Sequence, residues 1–479
     1  MQFPLRMTAL IISTVAIALV GCGGGGGKKR TPPIEPPVIL SGSWQYKQML
    51  DVDTHGVQPG LALNDAGEVA LIWNRVNTHG DYKCVGADTF SVSEANWNRT
   101  PGYVECSENQ AMIAPIAIST ASRRAAAWVS QGSSGPGFAR VVDLATNTGS
   151  DRRIWRDNNI DVAPLLLATA SGGTEGAVVW EQTSGSSFGY YENIWMVRHS
   201  DLDGWSDTII DLNYQGGTGT YPHRNRSPAI HMNSAGVSLL IWNLSEGYYS
   251  NDPPPQLQAM LYAPATSELH PARTYAHIRA YNDVNEVPLN RVAWVDEQGN
   301  ATLVWVQNTP EENTKALRYR RFNNGQESWS EMAMLDSVTI GNITNVRIHG
   351  DADGNLLLVW ERIAEQHEEL YALFDASTAS WSATTLFGPG DLQQVQLGGD
   401  SQGNAVLIGV QANNDIVARR YDATVRTWAS AEVVHEGSQL ANLTMRSNAR
   451  GETVVAWDEP ADVDRRVWTV RLTATAPDV

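Results

Sequence analysis

Val346-Arg-Ile-His-Gly-Asp-Ala-Asp-Gly-Asn-Leu-Leu-Leu-Val-Trp360 decides the fold of this chain. A short alternating run leads to a polar turn ending in Gly354, and an apolar run follows, closed by Trp360. Leu61-Ala-Leu-Asn-Asp-Ala-Gly-Glu-Val-Ala-Leu-Ile-Trp73 repeats that order. Eight such apolar runs close at Trp73, Trp128, Trp180, Trp242, Trp305, Trp360, Gly409 and Trp457, at spacings of 48 to 63 residues. Self-similarity at this period marks a ring or solenoid built from one supersecondary unit.

Helical periodicity is nearly absent, whereas strand-like alternation broken by Gly, Asn, Asp and Ser runs throughout. The turn Asn64-Asp-Ala-Gly67 recurs as Asp296-Glu-Gln-Gly299, Asp351-Ala-Asp-Gly354 and Asp400-Ser-Gln-Gly403. An Asp or Asn side chain caps a turn start, and Gly takes the positive φ at its end. Each unit therefore opens with a hairpin of strands A and B. A third strand follows, as in Ala316-Leu-Arg-Tyr-Arg-Arg-Phe322, and a second Trp (Trp97, Trp155, Trp205, Trp329, Trp381 or Trp428) opens a fourth. Four antiparallel strands per unit make a propeller blade. Pro59, Pro115, Pro164, Pro228 and Pro288 recur at the start of strand A, where no ladder donor is needed.

The ends agree with this reading. Ser43-Trp44-Gln-Tyr-Lys-Gln-Met-Leu50 matches a fourth strand yet precedes the first hairpin, and the last unit stops after its third strand, Val467-Trp-Thr-Val-Arg-Leu472. The expected architecture is an all-β propeller of four-stranded antiparallel blades, eight in number with seven as the alternative, closed by the N-terminal strand. Seven of the 17 Trp close strand B and seven, with Trp44, open strand D. Residues present in nearly every unit are packing elements.

Met7 to Val20 form a short apolar stretch after Arg6, and Leu19-Val-Gly-Cys22 resembles a bacterial lipobox. The chain divides into a lipoprotein signal peptide (1–21), a lipidated Cys22 on a Gly- and Pro-rich tether (22–42) and the propeller (43–479). Gly23 follows the Cys where an inner-membrane retention signal has Asp, so the sorting rule implies an envelope protein anchored in the outer membrane. Cys84 and Cys106 remain as a disulfide pair in an oxidising compartment. A net charge of −18 does not suit nucleic acid.

A propeller puts its D-to-A and B-to-C loops on one face. The longest units, the fourth and fifth, carry their excess there, together with Phe188-Gly-Tyr-Tyr191. Their Tyr, His and Arg residues form the expected ligand-binding set: Tyr214, Tyr221, His223, Arg224, Arg226, Tyr248, Tyr249, His277, Arg279 and Tyr281. Glu181, Glu361 and Asp458 follow strand-B positions and set carboxylates near the same mouth, where a spaced pair could cleave a glycosidic bond. Asp351-Ala-Asp-Gly-Asn355 resembles the start of a calcium loop, but Arg362 stands where the bidentate Glu belongs. No phosphate loop, zinc motif or nucleophile elbow is present, so no metal, cofactor or catalytic residue is expected.

With its Gly turn and Trp-closed strand, the body from Ser43 onward resembles bacterial propellers akin to sialidase and BNR-repeat proteins. The Asp-box of that group is kept as an Asp-to-Gly turn, though here Trp falls six residues after Gly; the group's Arg-Ile-Pro segment is missing. Arg291, Arg347 and Arg446 lie on inner strands. Two functions are expected in competition. One is a non-enzymatic, lipid-anchored module that binds an envelope protein or glycan. The other is a glycosidase or lyase acting on an extracellular or envelope polysaccharide.

Overall fold

The computed structural model describes residues 43–45, 48–49, 55–76, 83–91, 96–99, 105–107, 110–119, 124–132, 138–143, 168–186, 189–206, 210–212, 223–246, 256–262, 276–279, 289–309, 313–437, 439–461 and 464–473. The leader, Cys22 and the tether lie outside them. Every element among the described residues is a β-strand. The sheets are antiparallel, and the hairpin of strands A and B forms the core of each one.

The inner strands, A, are His55–Leu63, Gln110–Ser119, Ala168–Gly172, His223–Met232, Leu289–Val295, Asn342–Gly350, Gln393–Gly399 and Ala441–Ser447. Each touches the next in that order, and the last touches the first, so the strands close on themselves around an axis. This cycle makes the fold a β-propeller. Units are numbered below by these strands. In the last sheet, Gln48–Met49 pairs with Asp464–Leu472, matching Gln48 to Thr469 and Met49 to Trp468. Trp44 bridges Leu472, and its indole N–H donates to Glu432 Oε1 at 3.1 Å. The N-terminal strand thus closes the ring as the sequence predicts. One departure lies between units 3 and 4, whose sheets are joined by a parallel bridge from Glu192 to Arg224.

The core lies between units rather than inside them. Strand B is buried on both faces, which is why Ala301–Asn308, Leu356–Ile363 and Ala405–Val410 read as continuous apolar runs instead of alternating ones. Leu61, Val69 and Trp73 of the first unit pack against Val454, Ala456 and Val467 of the last, and the same kind of seam joins units 5 and 6 around Trp360. Trp73, Trp180, Trp242, Trp305, Trp360 and Trp457 are all buried. At Gly409 the space is occupied from outside: a Cβ there would meet Leu392 Cβ at 3.0 Å.

Five of the Trp residues that open a fourth strand have a partner that sequence reading missed. Each pairs across the strands with an aromatic ring at the end of strand C: Trp97 with Phe90, Trp205 with His199, Trp329 with Phe322, Trp381 with Phe374 and Trp428 with Tyr421. Ring centroids lie 4.9–5.5 Å apart and the rings are tilted or edge-on, the favoured arrangement for aromatic quadrupoles.

The A-to-B turns follow the expected chemistry. Asp296 Oδ1 accepts from the N–H groups of Gln298 and Asn300, and Gly299 closes the turn at φ +80°. The side chain four residues after the cap is matched to it. Asp296, Asp351 and Asp400 each accept from an Asn, at Asn300, Asn355 and Asn404, within 2.8–2.9 Å. Where the cap is Asn448, the partner is instead an acceptor, Glu452 at 2.8 Å. Asp351 is such a cap, so its carboxylate already holds two backbone N–H groups and Asn355.

Candidate functional site

Six of the strands A share one interruption at the end remote from these turns, while Ala168–Gly172 pairs in unbroken register. In those six the register with strand B slips between Val57 and Gly60, Arg226 and Ala229, Leu289 and Val292, Thr344 and Arg347, Gln393 and Gln396, and Ala441 and Thr444. Each slip is a β-bulge, and it contains one residue at positive φ: Gln58, Ser227, Asn290, Asn345, Gln394 or Asn442. Pro59 and Pro228 follow two of these residues directly. They therefore sit inside the bulge, not at the first residue of the strand as the sequence suggested. The reason for tolerating them is the same, since a bulge also needs no ladder donor.

These bulges explain the mouth carboxylates. Glu361 Oε2 accepts from Thr344 Oγ1 and Asn345 Nδ2, both at 3.0 Å. Glu181 Oε2 accepts from the Ser227 N–H of the following unit at 3.1 Å. Asp458, fully buried, accepts from Gln58 N–H at 3.1 Å, Asn442 Nδ2 at 2.7 Å and Arg465 Nε at 2.6 Å. All three carboxylates hold bulges in place.

One further carboxylate stands beside Glu361. Glu369 is its directly opposed cross-strand neighbour. Burial, with Asp391 and Glu361 adding to it against the pull of Arg419, pushes the Glu369 carboxyl up to about 7. Arg419 Nη1 lies 3.0 Å from it. Gly388 and Gly390 cover the group closely: a Cβ at Gly388 would lie 2.6 Å from Glu369 Oε2, and one at Gly390 2.9 Å from Glu361 Oε1. A perturbed carboxyl beside a second one has the chemistry of an acid–base pair, but here the chain itself is packed over it.

Among the expected ligand-binding residues, Tyr214, Tyr221, Tyr248, Tyr249 and Tyr281 lie outside the described residues. The backbone of His223, Arg224 and Arg226 belongs to strand A of unit 4 rather than to a loop, opposite Glu246, Ser245 and Asn243. His277 and Arg279 belong to its outer strand, Ala276–Arg279, opposite Gln258 and Gln256. Two strands separate the groups, so they sit at the inner and outer edges of one sheet. Tyr190 and Tyr191 also lie in a strand, extending the hairpin of Glu175–Ser186 with Gly189–Ser200. Cys84 and Cys106 are directly opposed partners on neighbouring strands, with Cys84 buried.

Arg291, Arg347 and Arg446 occupy different heights on their strands and do not converge. Arg291 donates to Ser227 O, Arg347 Nε to Val395 O at 2.8 Å, and Arg446 Nη1 to Met445 O at 2.8 Å. Burial lowers the Arg291 guanidinium to about 10.

The axis opens into a cavity of ≈ 450 Å³ at the A-to-B turn end, lined among others by His231, Trp294, His349, Gln396, Arg446 and Asn448. Sequence reading placed its candidate at the opposite end and missed this one. The available signal was the residue two before each turn cap: Ala62, His231, Trp294, His349, Gly398 and Arg446. This position varies in a repeat that is otherwise uniform.

No family model and no curated protein matches the chain. Solved structures similar to it include a polysaccharide lyase, Uly1, at 10% identity over 90% of this chain and 99% of that one, with a TM-score of 0.48. The Dos1 propeller is 8% identical over 91% and 96%, with a TM-score of 0.46. A fucose-specific lectin from Aleuria aurantia is 9% identical over 80% and 98%, with a TM-score of 0.35. The fold assignment rests on the closed cycle of inner strands, not on these likenesses.

Proposed function

We propose that this chain is an eight-bladed, lipid-anchored propeller of the bacterial envelope that binds a glycan or a protein through the loop-bearing end of units 3 to 5. Cys22 carries the lipid, residues 22–42 are the tether, the outer membrane is the anchor, and a Cys84–Cys106 disulfide ties the first unit. One observation carries the choice of binding over hydrolysis. The carboxylates Glu181, Glu361 and Asp458 are engaged in holding the strand-A bulges. A glycosidase needs two carboxyls that a sugar can reach, and the pair Glu361–Glu369 lies beneath Gly388 and Gly390. Solved lectins and polysaccharide lyases of similar architecture make a glycan the first ligand to try.

The test is capture from envelope extract and from a polysaccharide panel by the mature protein. It is run beside a variant with Tyr221→Ala, Arg224→Ala, Tyr249→Ala and Arg279→Ala. A component retained by the wild type and lost by the variant supports the site. Equal retention by both, or depolymerisation of a retained polysaccharide, overturns the reading. Fractionation of Cys22→Ser tests the anchor, and the variant is expected to leave the membrane fraction.

A further inference from the structure

We infer that the axial cavity at the A-to-B turn end is a second binding site, which takes a small monocarboxylate of sugar size with Arg446 as its anchor. A guanidinium offers five N–H donors. Among the described residues the Arg446 guanidinium uses one of them, toward Met445 O, and faces the cavity without a carboxylate partner. Arg362 pairs with Asp336 and Glu368, Arg419 with Glu369 and Arg465 with Asp458, whereas Arg446, like Arg291 and Arg347 on their inner strands, donates to a backbone carbonyl. Arg446 is exposed into the cavity, and among the described residues no carboxylate forms an ion pair with its guanidinium. A bound carboxylate would supply what the fold does not.

The rest of the lining suits a polar molecule larger than a simple ion. His231 feels the charge of Arg446 across the cavity. Burial, and then that charge, lowers it to about 4, so its ring is neutral at pH 7 and has no hydrogen-bond partner among the described residues. Trp294 Nε1 is likewise buried without a partner among them. His349 is fixed by Asp400 O at 3.0 Å and lies edge-on to Trp294. A volume of ≈ 450 Å³ is in the range of small-molecule sites.

Acidic groups limit the ligand. Asp65, Glu297, Asp351 and Asp400 also line the cavity. Asp65 accepts from Ala449 N–H, Glu297 from Ser234, and Asp351 and Asp400 cap their turns. Their hydrogen bonds are used, yet their charges remain. A polyanion would be repelled at this rim, whereas a single carboxylate can reach Arg446.

Calorimetric titration of the protein with sodium glucuronate, and with glucose as the neutral control, tests this. Saturable one-to-one binding of glucuronate, absent for glucose, is expected. Affinity should fall about tenfold or more in Arg446→Gln, the loss of a charge-assisted contact, with an unchanged thermal melt. Arg446→Lys keeps the charge without the fork and should bind several-fold more weakly than wild type. The loop variant Tyr221→Ala/Arg224→Ala/Tyr249→Ala/Arg279→Ala should bind glucuronate normally, because the Arg224 backbone lies beyond the strand-A bulge, away from the turn end that carries Arg446. No saturable heat from the wild type, equal heat from glucose, or full affinity in folded Arg446→Gln overturns the inference.

Discussion

The two ends of the strand-A and strand-B hairpins solve the same problem, a chain reversing or slipping at positive φ, by opposite means. At the turn end the solution is local. Asp296 holds the N–H groups two and four residues on, and Gly299 adopts the left-handed conformation without steric cost. At the bulge end a non-glycine residue takes that conformation, and distant groups hold it. Gln58 is fixed by Asp458, Ser227 by Glu181, and Leu443 N–H donates to the Gln394 side chain of the preceding unit. The turn end stabilises a hairpin, while the bulge end stabilises the contact between hairpins. Damage to the bulge end should therefore cost more and act on ring closure.

Asp458 gives the largest expected effect. It is fully buried, holds bulges of the first and last units at once, and pairs with Arg465. Asp458→Ala takes the carboxylate from Arg465 and the acceptor from the Gln58 N–H, and breaking a buried pair in this way costs about 3–5 kcal/mol. Denaturant unfolding should show that loss. A change below about 1 kcal/mol, the value for an exposed pair, would mean that the bulge contacts are incidental to closure.

A second long-range link would be covalent. The proposed Cys84–Cys106 disulfide would close a loop that includes the strand pairing of Trp97 with Phe90. For a loop of this length, reduction is expected to destabilise by about 3 kcal/mol. Melting with and without reductant, beside a Cys84→Ala/Cys106→Ala variant insensitive to reductant, checks it. Identical melts of the wild type in both conditions would remove the bond from the account.

The turn end should yield less, but it allows a sharper test. Asp400→Asn alone places two amides side by side and weakens the bond to Asn404. Adding Asn404→Glu recreates the Asn448–Glu452 arrangement. The single change should cost about 1 kcal/mol and the second should restore most of it, a coupling that a double-mutant cycle reads directly. The same locality made this end legible in the sequence. Cap, Gly and matched partner all fall within five residues, and the Trp that closes strand B follows that Gly by six. The bulges were not legible because their partners stand far away in the chain, Gln58 and Asp458 at opposite ends of it. Their trace is nonetheless present: Gln58, Ser227, Asn290, Asn345, Gln394 and Asn442 each stand six residues before a turn cap. The axial cavity was missed for a related reason. Its lining is one position taken from many units, and only the closed ring brings His231 and Arg446 together.

Glu369 gives a test of sign rather than of size. It lies at the bulge end, facing Arg419, Asp391 and Glu361, and His367 Nδ1 stands 3.4 Å from Glu361 Oε1. Its carboxyl titrates at about 7 in the fold against 4.5 when unfolded, so the folded chain binds the extra proton between those values. Stability from this group is then fully present below about pH 4.5 and is lost as pH rises through 7. His231, lowered to about 4 from 6.5, works in the other direction: its contribution is present above 6.5 and lost as pH falls toward 4. Glu369→Gln should remove the loss between pH 5 and 8 while leaving the acid side unchanged, and His231→Asn should do the reverse. Thermal melts across pH 4 to 8 separate the two. If Glu369→Gln leaves the alkaline limb as steep as in the wild type, then Arg419 holds Glu369 ionised throughout, and the carboxyls beneath Gly388 and Gly390 act as a fixed ion-pair cluster.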